Sequence, residues 1–116
     1  MSFRAALDAI TEKFVTDFND GNAVGCAAGY TEDAISYWAA SHVLRGRKEI
    51  EQHYVDLLAG GAKLTSLDTV HAESSENLGY AIQTYAGNQG VGMVMLAIRR
   101  SADGKWAVSA EAITAS

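Results

Sequence analysis

Glu111 is the residue whose surroundings most suggest chemistry, because it is an acid among small and apolar neighbours, Ser109 to Ile113. A carboxyl group that is removed from water has a raised pKa, which is the condition for a general acid or base near neutral pH. The alternative is a solvated carboxylate on an edge strand, or one paired with an arginine. The sequence leaves both interpretations open, and it makes Glu111 the leading catalytic candidate.

Tyr54 and His53 are the next candidates, and both lie on a helix that the sequence predicts over residues 47–59. Tyr54 falls on the apolar side of that helix and is the second candidate catalytic residue. It could equally be a core residue whose hydroxyl finds a backbone partner. His53 could face a pocket, or it could be an exposed helical histidine paired with Glu49 one turn earlier.

Composition narrows the class of protein. The 116 residues are expected to form one domain, 1–116, and 48% of them are hydrophobic. The net charge is −5 and no basic run is present, so we expect no nucleic-acid partner. A lone cysteine, Cys26, and scattered histidines argue against a disulfide and a metal site. No glycine-rich phosphate loop follows a strand, so we expect no cofactor.

The amino terminus, MSFRAALDAI, carries acidic and basic residues and no long apolar run. It does not have the pattern of a signal peptide, and no segment is long and apolar enough to suggest a membrane span. We therefore expect a cytoplasmic protein with no membrane partner.

The order of elements follows from changes in hydrophobic period. Phe3, Leu7, Ile10, Phe14 and Phe18 form one helical stripe with Ser2 as a cap, and Asn22 could cap a short second helix. A hairpin, AISYWA with SHVLRG, then precedes the helix over 47–59. Four strands separated by short turns complete the chain. The predicted order is ααββαββββ.

The strand over residues 90–100 is apolar on both faces. Val91, Met93 and Met95 point one way, and Val94, Leu96 and Ile98 point the other. A strand of this kind must be covered on both sides. The helices can cover one side, so we predict that a second copy covers the other and that the protein is a homodimer. The alternative is a twisted sheet wrapped on itself.

Several short segments together resemble a known family. FNDGN follows the first helix, YTEDA precedes the first strand, LRGRKEIEQHY opens the third helix, and DGKW forms the last hairpin. Their order and spacing resemble the nuclear transport factor 2-like superfamily, particularly its SnoaL-like and ketosteroid isomerase-like branches. The resemblance implies an α+β fold in which a cone-shaped, curved antiparallel sheet packs on three helices around a deep apolar pocket. Members of the family are commonly dimers.

The resemblance also tests for isomerase chemistry. A ketosteroid isomerase needs a carboxylate base and an oxyanion hole made by a tyrosine and a protonated aspartate. The family pattern places these groups at Trp38, Phe14 and Leu96, and none of the three side chains can serve. The sequence therefore lacks the ketosteroid isomerase residues, although the pocket itself is expected. An epoxide hydrolase arrangement is weaker still, because we find no inward arginine.

A small hydrophobic ligand is the predicted partner. If residues 101–104 are the last hairpin loop, Val94 faces Glu111, on the side that the resemblance assigns to the cavity. The predicted ligand-binding residues are Phe14, Phe18, Trp38, His53, Tyr54, Leu57, Val94, Leu96, Ser109, Glu111 and Ile113. Any reaction would be a proton transfer, such as isomerisation, cyclisation or dehydration. The alternative function is a non-catalytic ligand-binding or association module.

One register stays open at this stage. A three-residue loop at 88–90 turns Tyr80, Ile82 and Thr84 inward, whereas a two-residue loop turns Gln83 and Tyr85 inward.

Overall fold

The computed structural model describes residues 2–38 and 42–115. Its elements are α1 (Phe3–Asn19), α2 (Ala23–Ala28), β1 (Tyr30–Trp38), β2 (His42–Arg45), α3 (Arg47–Ala59), β3 (Leu64–Ser75), β4 (Leu78–Gly87), β5 (Gly90–Arg100) and β6 (Trp106–Ala115). The predicted order of elements is confirmed. The turn of the first hairpin, at 39–41, lies outside the described residues.

The helices begin and end where the sequence indicates. The Ser2 side chain accepts a hydrogen bond from the Ala5 amide at 3.1 Å, and the Asn22 side chain accepts one from the Gly25 amide at 2.9 Å. Both are N-caps that satisfy amides left free in the first turn. Gly46 precedes α3 at a φ of 86°, a conformation that glycine adopts without steric cost.

The six strands form one sheet in the order β2-β1-β6-β5-β4-β3. Every neighbouring pair is antiparallel except β1 and β6, which run parallel. The pairing places β6 in the interior of the sheet. Glu111 therefore lies on a central strand, with Ser36 of β1 opposite it on one side and Leu96 of β5 on the other.

The open register of β4 has a definite outcome. Gly87 pairs with Gly90, so the hairpin loop has two residues and Gln83 and Tyr85 share the inner side of the sheet.

The predicted pairing of Val94 with Glu111 was wrong, because Val94 pairs with Ile113 and Leu96 pairs with Glu111. The last hairpin loop is one residue longer than expected, and a bulge follows it between β5 and β6. The longer loop and the bulge each shift the pairing by one residue. The total shift of two residues leaves Glu111 on the predicted side of the sheet.

The helices cover the inner side of the sheet, where the core forms. Leu7 of α1, Ile50 of α3 and Ile98 of β5 are fully buried members of this core. None of the helices formed by the described residues combines the length and apolar character that a membrane crossing requires.

Candidate functional site

A cavity of about 410 Å³ lies between the helices and the inner side of the sheet. This volume falls in the range of small-molecule pockets. Most of the predicted ligand-binding residues line it: Phe14, Phe18, Trp38, Tyr54, Leu57, Val94, Leu96, Glu111 and Ile113. Its wall is mainly aromatic and aliphatic, so an apolar molecule could replace solvent there favourably.

Glu111 is the buried acid of this wall, with only 7% of its surface exposed. Its Oε1 atom accepts a hydrogen bond from the Tyr30 hydroxyl at 2.6 Å and another from the Ser36 hydroxyl at 2.7 Å. The alternative of a solvated or arginine-paired carboxylate does not hold. The parallel pairing of β1 with β6 brings Ser36 beside Glu111, since the two residues are register partners.

Two further donors extend the network behind these contacts. The Tyr54 hydroxyl lies 2.7 Å from that of Tyr30, and the Trp38 indole Nε1 donates to the Ser36 hydroxyl at 2.7 Å. The single hydroxyl hydrogen of Tyr30 is used on Glu111, so Tyr54 must be the donor to Tyr30. Tyr30 and Ser36 are therefore the direct donors to Oε1, and Tyr54 and Trp38 donate to the hydroxyls of these two residues.

The other carboxylate oxygen, Oε2, is in a different situation. Among the described residues, no hydrogen bond reaches it. In the described chain, the one fully buried side-chain polar atom without a hydrogen-bond partner is His53 Nε2. Because Oε2 of Glu111 also lacks a partner, it is not fully buried and keeps some accessible surface. Since Oε1 already accepts from both Tyr30 and Ser36, a proton taken up by Glu111 would sit on Oε2, facing the cavity.

Opposing influences set the protonation of Glu111. Burial raises the pKa of its carboxyl above the ordinary value, and the hydrogen bonds from Tyr30 and Ser36 lower it in part. Burial, together with the Glu111 charge, raises the pKa of the Tyr30 and Tyr54 hydroxyls well above their usual range. These tyrosines are therefore proton donors in hydrogen bonds, and Glu111 is the group poised to titrate.

Two predicted ligand-binding residues are not in the cavity wall. Ser109 is at the bulge of β6, where its hydroxyl donates to the Ala97 carbonyl at 3.3 Å. His53 packs against Trp38, which does line the cavity, with ring centroids 4.2 Å apart and ring planes tilted by 49°. Burial and the nearby His42 lower the pKa of His53. Its predicted alternative, a pair with Glu49, is also not formed, because the Glu49 carboxylate accepts from the Arg45 amide.

Sequence reasoning missed Tyr30 and Ser36, and it left open whether Gln83 faces the cavity. Ser36 lies two residues before Trp38, so strand alternation places both on one side and could have found it. Tyr30 had no such signal, because its contacts to Tyr54 and Glu111 are far apart in sequence. Whether Gln83 faces the cavity depended on the register of β4, which the sequence left open. Its amide donates to the hydroxyls of Thr11 and Thr69, so it is a satisfied part of the wall.

The positions that would carry isomerase chemistry are apolar in the structure as well. Phe14, Trp38 and Leu96 all line the cavity. The indole nitrogen of Trp38 is used on Ser36. The arrangement can therefore bind an apolar body and exchange one proton at Glu111 Oε2, but these residues provide no oxyanion hole of the isomerase kind.

The architecture defines an α+β protein whose curved sheet and helices enclose an apolar cavity with one buried acid. Comparison with solved structures shows that this is the fold of nuclear transport factor 2-like and ketosteroid isomerase-like proteins. No protein-family model and no curated protein matches the sequence.

The structural neighbours are similar in fold and distant in sequence. A domain of unknown function with a cystatin-like fold from Nostoc punctiforme has a TM-score of 0.86 at 17% identity, covering 100% of this chain and 80% of that one. An NTF2-like protein of unknown function from Shewanella oneidensis has a TM-score of 0.84 at 12% identity, covering 96% and 98%. A ketosteroid isomerase-like protein from Erwinia carotovora has a TM-score of 0.79 at 15% identity, covering 96% and 94%.

Proposed function

We propose that the protein binds a small hydrophobic ligand in its cavity and that Glu111 exchanges a proton with that ligand through Oε2. The observation that carries the proposal is the asymmetry of the Glu111 carboxylate. Oε1 accepts two hydrogen bonds, whereas Oε2 accepts none from the described residues and keeps accessible surface on a residue that lines the apolar cavity. A ligand group that meets Oε2 would supply the missing partner.

The energetics favour an apolar ligand that places a polar group at Oε2. Burying an apolar body against the wall contributes about 25 cal/mol per Å² of apolar surface removed from water. A hydroxyl or carbonyl placed at Oε2 would add a hydrogen bond in a low-dielectric site, where such contacts are strong. Protonated Glu111 could donate to a carbonyl, and ionised Glu111 could remove a proton beside one. Isomerisation, cyclisation and dehydration are reactions of this type.

Thermal-shift screening tests this proposal, with neutral steroids, aromatic polyketides and aromatic acids as the compounds. We expect at least one compound to raise the melting temperature, and a crystal structure to place it against Glu111. Val94→Trp, which fills the cavity, should abolish the shift, whereas Met95→Trp on the other side of the same strand should not. A compound that binds equally well to both variants would contradict the proposal.

The outer face of the sheet supports a second proposal, that the protein is a homodimer. We define the outer patch as the exposed apolar side chains of Ile35, Tyr37, Val43, Met93 and Met95. β1 lies between β2 and β6, and β6 lies beside β5, so the patch spans adjoining strands. Exposed apolar patches of this kind are typical of interfaces between subunits. The same patch favours the alternative function, an association module without catalysis.

A further inference from the structure

The cavity adjoins a basic groove that the Glu111 site does not use. The groove lies between the first half of α1 and the last hairpin, and it is lined by Ala6, Ala9, Ile10, Arg100, Gly104, Lys105 and Trp106. Ile10, Lys105 and Trp106 also belong to the cavity wall, so the two spaces meet there. Both charged residues of the groove are cations.

The charge of Arg100 is held in place by neutral groups. Its Nε donates to the Asn77 side-chain oxygen at 3.0 Å, and its guanidinium lies 5.3 Å from the centre of the Trp106 ring. Neither contact neutralises the charge. Within the described part of the chain, no carboxylate forms an ion pair with Arg100 or Lys105.

Basic residues elsewhere in the described chain are of two kinds: Arg45, Lys48 and Lys63 form no ion pair, whereas others pair with a carboxylate. Arg4 pairs with Asp8, Lys13 with Asp17, and Arg99 with Asp33. Asp103, the acid nearest to the groove in sequence, accepts from the Ser101 hydroxyl and from the Lys105 backbone amide. The charge of Lys105 contributes to the lowered pKa of Asp103, but neither cation of the groove forms an ion pair among the described residues. What distinguishes the groove is that its two cations adjoin each other and that Lys105 also borders the apolar cavity.

We propose that Arg100 and Lys105 bind the carboxylate head of an amphiphilic ligand whose apolar body extends into the cavity. This inference rests on the proposed function and adds the chemical class of the ligand. Arginine and lysine form charge-assisted hydrogen bonds to carboxylates, and the guanidinium can do so through two parallel contacts. The Trp106 ring and Ile10 would meet the first apolar carbons of the ligand.

The distance between the groove and Glu111 makes the two sites compatible. Arg100 and Leu96, which is the register partner of Glu111, are four residues apart on β5. At about 3.3 Å per residue this corresponds to roughly 13 Å along the strand. Screening reduces repulsion between charges at that separation. The ligand carboxylate and the Glu111 carboxylate could therefore both be present without a large unfavourable interaction.

Matched probes test the inference: dodecanoate and 1-dodecanol, titrated into the protein while tryptophan fluorescence is recorded. We expect dodecanoate to bind about tenfold more tightly than the alcohol at low salt, and to lose this advantage as salt is added. Arg100→Gln and Lys105→Gln should each weaken dodecanoate binding by about threefold to tenfold and leave the alcohol unchanged. Arg99→Gln, on the other side of the strand, is the matched control and should change neither.

The outcomes separate this inference from the proposed function. Equal affinity for the acid and the alcohol would overturn the carboxylate site while leaving a hydrophobic cavity in place. An equal loss of dodecanoate binding in the Arg99→Gln variant would also overturn it, since a general charge effect would then be responsible. If neither probe binds, the carboxylate site is contradicted, and the proposed function is contradicted as well if no compound of the thermal-shift screen binds.

Discussion

The two faces of β5 are both apolar, but they differ in burial. On the inner face, Leu96 and Ile98 are buried in the core, and Leu96 borders the cavity beside Glu111. On the outer face, Met93 and Met95 are 50% and 53% exposed. All four residues are apolar, so the difference comes from what lies against them.

The apolar surfaces on the inner and outer faces of the sheet serve different purposes in this account. Inside, the helices enclose an apolar space, and in its wall the buried Glu111 carboxylate is hydrogen-bonded at Oε1 but not, among the described residues, at Oε2. Outside, the apolar side chains of the outer patch are exposed and no described element covers them, which is a reason to propose a second copy there. A ligand and a second subunit would therefore act on opposite sides of one strand.

The largest expected effect tests whether the inner face alone stabilises the fold. Ile98→Ala removes a fully buried side chain and should lower the free energy of unfolding by about 2–5 kcal/mol. Met95→Ala is the control on the outer face. It should change the free energy of unfolding of the dilute monomer by no more than about 0.5 kcal/mol. Urea denaturation at low protein concentration measures both. Equal losses for the two variants would remove the distinction between the faces.

The next effect tests the outer face as an interface. Met95→Glu places a charge in the outer patch and should raise the dimer dissociation constant at least about 30-fold, which corresponds to about 2 kcal/mol. Light scattering after gel filtration measures the molar mass over a dilution series. Val70→Glu, at an exposed apolar position on edge strand β3, is the control. A wild-type protein that stays monomeric at all concentrations would contradict the dimer.

A smaller effect sharpens the account of the inner face. The raised pKa of Glu111 means that the folded protein holds this proton more tightly than the unfolded chain does. This contribution favours folding at low pH and is lost as the pH rises from the unfolded pKa through the folded one. Glu111→Gln does not titrate, so its stability relative to wild type should increase between pH 4 and pH 8. The expected change is about 1.4 kcal/mol per unit of pKa difference.

Urea denaturation at the two pH values measures this change. Glu12→Gln, at an exposed position on α1, gives the background pH dependence of a glutamate substitution. A stability difference between Glu111→Gln and wild type that is the same at pH 4 and pH 8 would contradict the raised pKa.

The sequence was sufficient for the helices because their ends carry local signals. Ser2 and Asn22 cap α1 and α2, and α3 spans the predicted residues 47–59. The side of the sheet on which Glu111 lies was also predictable, although its partner was wrong by two residues. Successive side chains of a strand point to opposite faces, so a shift of one residue reverses the face and a shift of two restores it. The extra loop residue and the bulge together shift the pairing by two residues, so Glu111 stays on the predicted face.

The Glu111 network was beyond the sequence for a physical reason. Tyr30, Ser36 and Tyr54 reach Glu111 only because β1 joins β6 in parallel and α3 packs across them. That pairing links strands from opposite ends of the chain, and no turn between them records it. The local pattern could identify the acid and one tyrosine, but not which of the two carboxylate oxygens would be satisfied.

The central claim is that Glu111 is a buried carboxyl with one oxygen free toward an apolar cavity. An NMR titration of the Glu111 side-chain carboxyl carbon in the ligand-free protein tests it most directly, with Glu111→Gln used to assign the resonance. The account predicts a pKa above the ordinary glutamate value of 4.5. A pKa at or below that value would show that the carboxyl is solvated or fully paired, and would contradict the account.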